Sequence, residues 1–464
     1  MSHTCAALSS AAGKSGVAVL RLSGDDAVRI ASRVFRPASG RPLEQSPDRF
    51  AVYGAFYGAD GEKIDTGLAV CFYAPRSYTG ENTVEFSCHG SPVGVSLILG
   101  ALFAAGAQPA LPGEFTRRAF VGGKLDLTQA EAVADLLDAS SAAEQKLFSA
   151  QLTGGLGAKI RAVSDKITDM LASVYAYMDY PDEDMSELSD DELCRAISET
   201  QVELTALAGS YSSGLAMTKG VNTVIAGAPN TGKSTFFNLL AGYERAIVTD
   251  VAGTTRDVIT ETVLCGGVKL NISDTAGIHE TDDTVEKIGV ARSKRALDDC
   301  ELLFAVFDGS GPLSDADEAF IARVAALCAT RPVIAVINKC DAADPEHVVR
   351  LEQLLEKAGL PHVLRLSAKT GEGKAVFESM IRALYPMSDD ALAAGAVLTN
   401  ARQYAAVKKA SDCLSLALTA MHTLTRDMAG LDLEQALGAL CEADGRQVSE
   451  QVVNTIFSRF CVGK

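Results

Sequence analysis

The sequence predicts a multidomain α/β + α fold, in which an α/β domain is inserted into a helical domain that follows an N-terminal α+β module. Three patterns support this prediction. Residues 1–120 combine short β-type runs with Gly/Pro turns, residues 121–216 and 385–464 are Ala/Leu-rich with helical spacing, and residues 217–384 alternate apolar strands with helical segments. Because helical sequence stands on both sides of the α/β part, we expect that part to be an insertion.

The N-terminal module contains three runs typical of strands, GVAVLRLSG, TGLAVCFYA and NTVEFSCHG. It also contains the apolar stretch VGVSLILGALFAAGA (93–107). At about 15 residues, this stretch is shorter than the roughly 20 residues that a membrane span needs. We therefore predict a buried helix, packed through Gly94, Gly100 and Gly106, and no membrane contact.

The bulk composition is typical of a protein with several folded domains and reduced thiols. The 464 residues are 47% hydrophobic and 22% charged, and a chain of this length forms about two to four domains. The 11 cysteines include no C-x-x-C pair, and the N-terminus shows no export signal. These features predict a cytoplasmic protein without a disulfide framework or a zinc site.

Negative charge is concentrated in the middle of the chain, which has a net charge of −17 overall. Residues 121–400 carry 24 basic and 42 acidic residues, whereas residues 1–120 carry 11 and 10, and residues 401–464 carry 7 of each. A polyanion such as nucleic acid is repelled by an acidic surface. We therefore expect any such partner to contact the two ends of the chain.

One segment has the sequence and the context of a phosphate-binding loop. GAPNTGKS (227–234) fits G-x-x-x-x-G-K-S, follows the strand TVIAG and opens the helical segment TFFNLL. Its glycines let backbone N–H groups surround phosphate oxygens, Lys233 reaches the β- and γ-phosphates, and the Ser234 hydroxyl ligates Mg²⁺. The predicted nucleotide contacts here are Asn230, Thr231, Gly232, Lys233, Ser234 and Thr235.

Two motifs belong to the metal side of the same site. DTAG (274–277) ends the apolar strand VKLNIS and places Asp274 near the metal, and GTTRD (253–257) supplies Thr255, which can close onto Mg²⁺. The predicted contacts in these motifs are Thr254, Thr255, Asp274, Thr275, Ala276 and Gly277.

Two motifs belong to the base side. NKCD (338–341) gives Asp341, which can accept hydrogen bonds from guanine N1–H and N2–H₂, and SAK (367–369) offers the Ala368 N–H to guanine O6. The predicted contacts are Asn338, Lys339, Asp341, Ser367, Ala368 and Lys369. Since all these motifs stand at strand ends in the expected order, the sequence predicts a P-loop, Ras-like α/β G domain that binds GTP rather than ATP.

These motifs do not supply the group that orients the attacking water. Many GTPases carry a Gln directly after the Asp-x-x-Gly motif, but this chain has Ile278 there. Either a nearby carboxylate orients the water, or the domain is a slow switch that depends on a partner. The nearest carboxylates are Glu280, Asp282, Asp283 and Glu286.

The last five residues, FCVGK (460–464), allow two interpretations of Cys461 from chemistry alone. The position is that of a prenylated cysteine, although Gly463 is not aliphatic and Lys464 is not a usual last residue. The other interpretation is a frayed tail with an ordinary thiol.

Further motifs are more specific than those of the nucleotide site. VLRLSG (19–24), SYTGENTVEFSCHG (77–90), PGEFTRRAF, KLDLTQAEAVADLL and the terminal IFSRFCVGK are spread along the chain. Together they resemble the tRNA modification GTPase family MnmE, also called TrmE, over the full length. The resemblance implies a tetrahydrofolate-binding N-terminal domain that dimerises (1–120), a helical domain (121–216 and 385–464) and a G domain (217–384) inserted into it.

The resemblance also implies a potassium-dependent GTPase whose G domains meet face to face. The residues that match the family's cation site are Asn230, Thr249, Val251 and Thr254. A cation there would balance charge on the β/γ-phosphates, and Thr249 is also expected to contact the nucleotide. Glu286 matches the family's water-positioning carboxylate and Arg256 a switch arginine, so with Lys233 they form the implied catalytic set for hydrolysis.

For a 5-formyl- or methylene-tetrahydrofolate, the residues that match the family's site are Arg21, Glu85, Lys124 and Lys464. The arginine and lysine side chains can bind the glutamate tail or a carbonyl group of the folate, and Glu85 can accept hydrogen bonds from the amino edge of the pterin. An ordinary ion pair in a sheet is the alternative for Arg21 and Glu85. The family makes the tail part of this site, where Cys461 is either a catalytic nucleophile or a residue that holds the tail in place.

The implied function is the addition of an aminomethyl or carboxymethylaminomethyl group to C5 of the tRNA wobble uridine. The implied partners are a second copy of the chain, tRNA, and a FAD-dependent protein of the MnmG family that completes a heterotetramer. Because the middle of this chain is acidic and its ends are near neutral, we expect that protein to supply much of the tRNA-binding surface. Two alternatives remain: a regulatory switch in the assembly of ribosomes or another complex, and a folate-dependent transferase whose G domain only stabilises the fold.

Overall fold

The structure is a computed structural model that describes residues 3–179, 188–243, 260–274, 300–313, 315–423 and 426–464. The chain divides into two compact units. The first unit comprises Met1–Asp138, Gln151–Thr200 and Asp412–Lys464, and the second comprises Ala139–Ala150 and Gln201–Ser411.

Strands with short helices come first in the chain, and longer helices follow. The elements up to residue 218 are β1 (Cys5–Leu8), β2 (Ser15–Ser23), α1 (Ala27–Val34), β3 (Phe35–Pro37), β4 (Ala51–Tyr57), β5 (Lys63–Phe72), β6 (Thr83–Gly90), α2 (Pro92–Ala104), β7 (Gln108–Pro109), α3 (Glu114–Val121), α4 (Leu127–Asp138), α5 (Ala142–Leu152), α6 (Gly155–Asp179) and α7 (Asp190–Thr218).

Alternating strands and helices follow, and helices end the chain. The described elements are β8 (Val221–Ala226), α8 (Lys233–Ala241), β9 (Thr260–Cys265), β10 (Val268–Asp274), β11 (Leu302–Asp308), α9 (Asp315–Leu327), β12 (Val333–Asn338), α10 (Pro345–Lys357), β13 (Val363–Arg365), α11 (Lys374–Leu384), α12 (Asp389–Ala394), α13 (Ala401–Thr423), α14 (Arg426–Asp444) and α15 (Glu450–Phe457).

The first unit contains a seven-stranded sheet in the order β3-β4-β5-β6-β2-β1-β7. Buried and less buried residues alternate along β2, SGVAVLRLS, because a strand with one face on a core shows a period of two. Phe35, Phe56 and Phe86 lie in the core that the sheet shares with α1 and α2, with ring centroids 5.1–5.5 Å apart. The sheet thus has one face covered by helices.

The apolar stretch at 93–107 forms α2, but the predicted packing through Gly100 is wrong. A Cβ atom on Gly100 would meet nothing within 4 Å. Val93 and Leu97 are exposed, whereas Ile98 and Leu102 are buried against the sheet. The helix buries a single stripe of side chains, because only one of its sides packs against the sheet. In the described ranges, no helix is long and apolar enough to cross a membrane.

The second unit contains a six-stranded sheet in the order β13-β12-β11-β8-β10-β9, parallel except for β9. β12, VIAVIN, is buried along its whole length, as expected of a parallel strand covered on both faces. Phe236, Phe304 and Phe377 belong to the core on one face, and a second core lies on the other. The carboxyl ends of β8, β11 and β12 meet at one edge, where ligands of such sheets bind.

Candidate nucleotide site and the docked C-terminal tail

The loop between β8 and α8 has the backbone shape that its glycine-rich sequence predicts. Asn230 and Gly232 adopt positive φ angles of 64° and 89°. A Cβ atom on Gly232 would lie 2.3 Å from Asn338 Nδ2, so glycine is required both for the turn and for the close approach of the neighbouring loop. The loop leads directly into α8, which begins at Lys233. This is the arrangement that presents backbone N–H groups to phosphate.

Lys233 lies across this loop. Its Nζ donates to the carbonyl oxygens of Gly227 and Ala228 at 3.1 and 2.8 Å, which holds the ammonium group at the place where a phosphate needs positive charge. Ser234 and Thr235 are exposed in the first turn of α8. The Ser234 hydroxyl is a hard oxygen donor, the type that Mg²⁺ prefers, so this position fits the predicted metal.

Asn338 joins the phosphate side of the site to the base side. Its Nδ2 donates to the carbonyl oxygen of Thr231 at 2.9 Å, and its Oδ1 accepts from the Ala368 N–H at 2.9 Å. Asn338, Thr231 and Ala368 are all buried. The Ala368 N–H, expected at guanine O6, thus already has a partner, and its contact with the base stays a prediction.

Asp341 is exposed on the base side of the candidate site. Its Oδ1 accepts from the hydroxyl of the buried Ser367 at 2.6 Å, which orients the carboxylate. A carboxylate fixed in this way retains acceptor capacity for the N1–H and N2–H₂ of guanine. Lys369 is exposed beside it.

Asp308, at the end of β11, is a site residue that the sequence analysis did not single out. Its Oδ2 accepts from Lys339 Nζ at 2.6 Å, and the same Nζ donates to the Asn230 carbonyl oxygen at 2.7 Å. Burial alone would raise the pKa of Asp308, but the hydrogen bonds from Lys339 and Ser310 outweigh it and hold that pKa below its ordinary value. The strand-end position of Asp308 is the signal that could have found it.

The structure describes only part of the predicted metal and potassium sites. Asp274 ends β10, and its backbone pairs with Ile225 of β8, the strand that leads into the phosphate loop. Of the predicted potassium site, only Asn230 is described. The remaining predicted residues lie outside the described residues, and these are Thr249, Val251, Thr254, Thr255, Arg256, Thr275, Ala276, Gly277 and Glu286.

In the first unit, Arg21 and Glu85 form the cross-strand pair that both interpretations of the sequence allow. They are register partners on β2 and β6, and the Arg21 Nε and Nη2 atoms lie 2.9 and 2.8 Å from Glu85 Oε1. The guanidinium group also stacks on the rings of Tyr78 and Phe115, at 5.2 and 5.5 Å from their centroids. Its donors that do not face Glu85 remain suited to a carbonyl or carboxylate ligand.

The C-terminal tail docks beside this pair. The Phe115 N–H donates to the Lys464 carbonyl oxygen at 3.0 Å, and the Ser9 hydroxyl donates to that of Gly463 at 2.9 Å. Through Phe115, Lys464 therefore reaches the surroundings of Arg21. Cys461 is exposed, and its carbonyl oxygen accepts from the Gly113 N–H at 3.3 Å. The tail is ordered by its backbone.

Lys124, the fourth predicted folate residue, has different neighbours. Its Nζ donates to the Pro75 carbonyl oxygen at 3.2 Å, and the residue lines a cavity of about 390 Å³ together with Arg117 and Arg118. Neither Arg21 nor Glu85 lines that cavity. The structure thus pairs Arg21 with Glu85 directly, joins the Lys464 backbone to Phe115, and gives Lys124 a contact with Pro75, and the shared folate site stays a prediction.

Arg118 organises the wall of this cavity, and the sequence analysis gave it no role. The guanidinium group donates to Glu81 Oε2 at 2.8 Å, to Glu114 Oε1 at 2.6 Å and to the carbonyl oxygens of Ser23 and His3. Burial alone would raise the pKa of Glu114, but the backbone N–H of Leu111 and the Arg118 side chain lower it below its ordinary value. The network fixes α3 against the N-terminal strands.

Replacing Gly463 by alanine is expected to release the tail. Gly463 has a φ of 98°, and a Cβ atom there would lie 2.0 Å from the Leu8 carbonyl oxygen. The left-handed backbone alone costs a residue with a Cβ about 1–2 kcal/mol, so the population of undocked tail should rise roughly tenfold. Faster removal of Lys464 by a carboxypeptidase would show it. The matched control is Gly438→Ala, where a Cβ would meet nothing within 4 Å and the release rate should not change.

The contacts of the second unit define a P-loop domain of the guanine-nucleotide-binding class. Comparison with known proteins gives the family. Residues 4–124 match the family model "GTP-binding protein TrmE N-terminus", and residues 127–461 match that of the MnmE helical domain. The chain belongs to the MnmE family.

Relatives named tRNA modification GTPase MnmE match along the whole chain. That of Symbiobacterium thermophilum is 38% identical over 463 residues, covering 100% of this chain and 99% of the relative. That of Heliobacterium modesticaldum is 37% identical over 471 residues, covering 99% of each. That of Carboxydothermus hydrogenoformans is 36% identical over 469 residues, covering 100% of each.

Proposed function

We propose that this chain is a GTP hydrolase that acts in tRNA modification, as its relatives' names state, and that its target is C5 of the wobble uridine. Asn338 carries the nucleotide part of the proposal, because its buried amide ties the phosphate loop to the guanine-binding loop. The family and the site chemistry support GTP with Mg²⁺. We propose further that the G domain (217–384) is inserted into the helical domain (121–216 and 385–464).

Hydrolysis of GTP needs charge stabilisation and an oriented water. Lys233 would balance charge on the β- and γ-phosphates, and Ser234 would hold Mg²⁺, which would supply further positive charge beside them. Asp341 and Asn338 fix the base, and Asp308 fixes Lys339 beside it. In this proposal Glu286 orients the water that Ile278 cannot, and Arg256 acts with it.

The rate of hydrolysis is expected to depend on potassium. A monovalent cation beside Asn230 would balance charge between the β- and γ-phosphates, and only a cation of the right size would fit the other proposed ligands, Thr249, Val251 and Thr254. At equal ionic strength, GTP turnover in KCl should exceed that in NaCl by about tenfold or more, a barrier difference of ~1.4 kcal/mol. Equal rates in the two salts would remove the cation from the mechanism.

A tetrahydrofolate derivative is proposed to supply the one-carbon unit, bound by Arg21, Glu85, Lys124 and Lys464. The stacked Arg21 and the tail that docks on Phe115 support this proposal. Cys461 is exposed, so its thiol is accessible as a nucleophile. The alternative role is to hold the tail in place through its backbone.

The open face of the seven-stranded sheet supports a homodimer formed through residues 1–120. Tyr53 and Leu68 are cross-strand partners on this face and are 58% and 41% exposed. Exposed apolar side chains of this size on a sheet face are typical of an interface. We propose that the dimer binds a FAD-dependent MnmG-type protein, that this heterotetramer binds tRNA, and that it acts in the cytoplasm.

Nucleoside mass spectrometry of bulk tRNA tests the proposed function. Cells that lack the gene should lose the 5-substituted wobble uridine, and the wild-type chain should restore it. Glu286→Ala should slow GTP hydrolysis by about 10²-fold or more, as expected for the loss of a water-positioning group, and should not restore the wild-type level of this nucleoside. Glu280→Ala, an acid on the same segment, is the control and should restore it fully. A normal profile without the gene would favour the assembly switch, and a normal profile with Glu286→Ala would favour a transferase that needs no hydrolysis.

A further inference from the structure

A buried ion pair joins β10 to α5 in the second unit. Lys269 Nζ lies 2.9 Å from Glu144 Oε1, and the two side chains are only 10% and 2% exposed. Glu144 also accepts from the Ser140 N–H at 3.0 Å and from the Ser141 hydroxyl at 3.0 Å, so the carboxylate closes the first turn of α5. Burying two charges is unfavourable unless they are paired and hydrogen-bonded, and both conditions are met here.

The same end of β10 is anchored to the end of α7. Lys269 Nζ donates to the Thr218 carbonyl oxygen at 2.8 Å, and Asn271 Nδ2 donates to that of Lys219 at 2.9 Å. At the other end of the strand is Asp274, about 16 Å away along an extended chain. A hydrogen-bonded strand inside a sheet moves as one piece, so a displacement at the nucleotide end of β10 reaches Lys269.

The position of α5 in the chain makes this contact consequential. Residues 139–150 belong to the second unit, whereas the chain on either side, ending at Asp138 and resuming at Gln151, belongs to the first. Helix α5 therefore continues covalently into α4 and α6. Among the described residues, 139–150 form the one short segment that leaves the first unit and returns to it. The ion pair attaches this segment to the nucleotide-binding sheet.

A cavity next to the ion pair leaves room for movement. It has a volume of about 910 Å³ and is lined by Ala143 and Val268, the chain neighbours of the paired residues. Small residues of α7, Gly209 and Ser213, form part of its wall. Tight packing would resist a shift of the β9–β10 turn, whereas a cavity with small side chains permits it.

We propose that Glu144 and Lys269 are positioning residues. They couple the position of β10, which depends on the bound nucleotide, to the position of α5, and through α5 to α4 and α6. The biological role of this coupling rests on the proposed function. If the chain hydrolyses GTP in tRNA modification, the ion pair links the nucleotide site to the chain segments that flank the candidate folate residues. α4 begins three residues after Lys124. Each nucleotide state would set one position of β10, and the ion pair obliges α5 to follow.

Hydrogen–deuterium exchange of the full-length chain tests the coupling. In the wild type, amides of residues 142–152 should exchange at least about fivefold differently with GDP–Mg²⁺ and with a non-hydrolysable GTP analogue–Mg²⁺, the lower end of allosteric coupling. The double variant Glu144→Gln/Lys269→Met removes both charges and keeps the acceptor for Ser140, and it should abolish the difference while binding nucleotide normally. Glu144→Asp, which keeps the charge but shortens the side chain, should reduce the difference and serves if the double variant does not fold.

Glu352→Gln/Arg365→Met, which removes a more exposed ion pair between α10 and β13, is the matched control and should keep the wild-type difference. No difference in the wild type, a full difference in the double variant, or loss of it in the control would overturn the proposal. The exchange experiment needs no tRNA. An unchanged nucleoside profile in cells that lack the gene would therefore overturn the proposed function and leave the coupling intact. No exchange difference in the wild-type chain, together with loss of the modified uridine in cells that lack the gene, would overturn the coupling and leave the proposed function intact.

Discussion

Asp341→Asn is expected to weaken GTP binding by about 10²–10⁴-fold and to create affinity for xanthosine triphosphate. The carboxylate accepts two hydrogen bonds from guanine, and each hydrogen bond to a charged group contributes about 1.5–3 kcal/mol. An amide can accept only one of them and presents an N–H group to the other donor. Xanthine carries an oxygen at C2 instead of the amino group, so it pairs with the amide of asparagine and rejects the carboxylate.

Equilibrium binding of fluorescent GDP and XDP to the two proteins measures this exchange of specificity. Asp344→Asn is the matched control, because Asp344 caps α10 by accepting from the Glu346 N–H, and asparagine caps a helix equally well. The control should bind GDP as the wild type does. If Asp341→Asn kept its affinity for GDP, the base would not lie against Asp341, and the assignment of the NKCD motif would be wrong.

The nucleotide site could be predicted because its parts are local in sequence. The turn at Gly232 and the helix that begins at Lys233 follow from a few adjacent residues, and each motif stands at the end of an apolar strand. What could not be predicted is how these loops hold one another. The contacts of Asn338 with Thr231 and of Asp308 with Lys339 link positions that are 107 and 31 residues apart.

For the α2 helix, the element itself was predicted correctly but its packing was not. Its apolar composition predicted a buried helix, but composition does not say how many faces of a helix have a neighbour. The C-terminal tail could be placed only through the family resemblance, because nothing in FCVGK by itself predicts the backbone contact with Phe115. The Arg118 network was missed for a similar reason, since its acceptors come from four separate segments of the first unit.

Arg118→Met is expected to destabilise the first unit by about 3–5 kcal/mol, the usual effect of removing one partner from a buried charged network. Methionine keeps an apolar stem of similar length, so the loss comes from the charge and its hydrogen bonds. Arg118 is 10% exposed, and its removal leaves Glu114, at 9%, as a buried carboxylate without its arginine partner. Urea unfolding at pH 7, followed in the first unit, measures the change.

The pH dependence of this loss separates it from a packing defect. Since its contacts hold the pKa of Glu114 below the ordinary value of 4.5, the stability that they contribute is present above pH 4.5 and is lost as the pH falls below it. The gap between wild type and Arg118→Met should therefore narrow in acid. Arg29→Met removes the exposed pair with Asp26, whose side chains are 58% and 52% exposed, and should change the stability of the first unit little at any pH. A loss for Arg118→Met that is as small as this control, or that is independent of pH, would mean that the network does not hold α3 through charge.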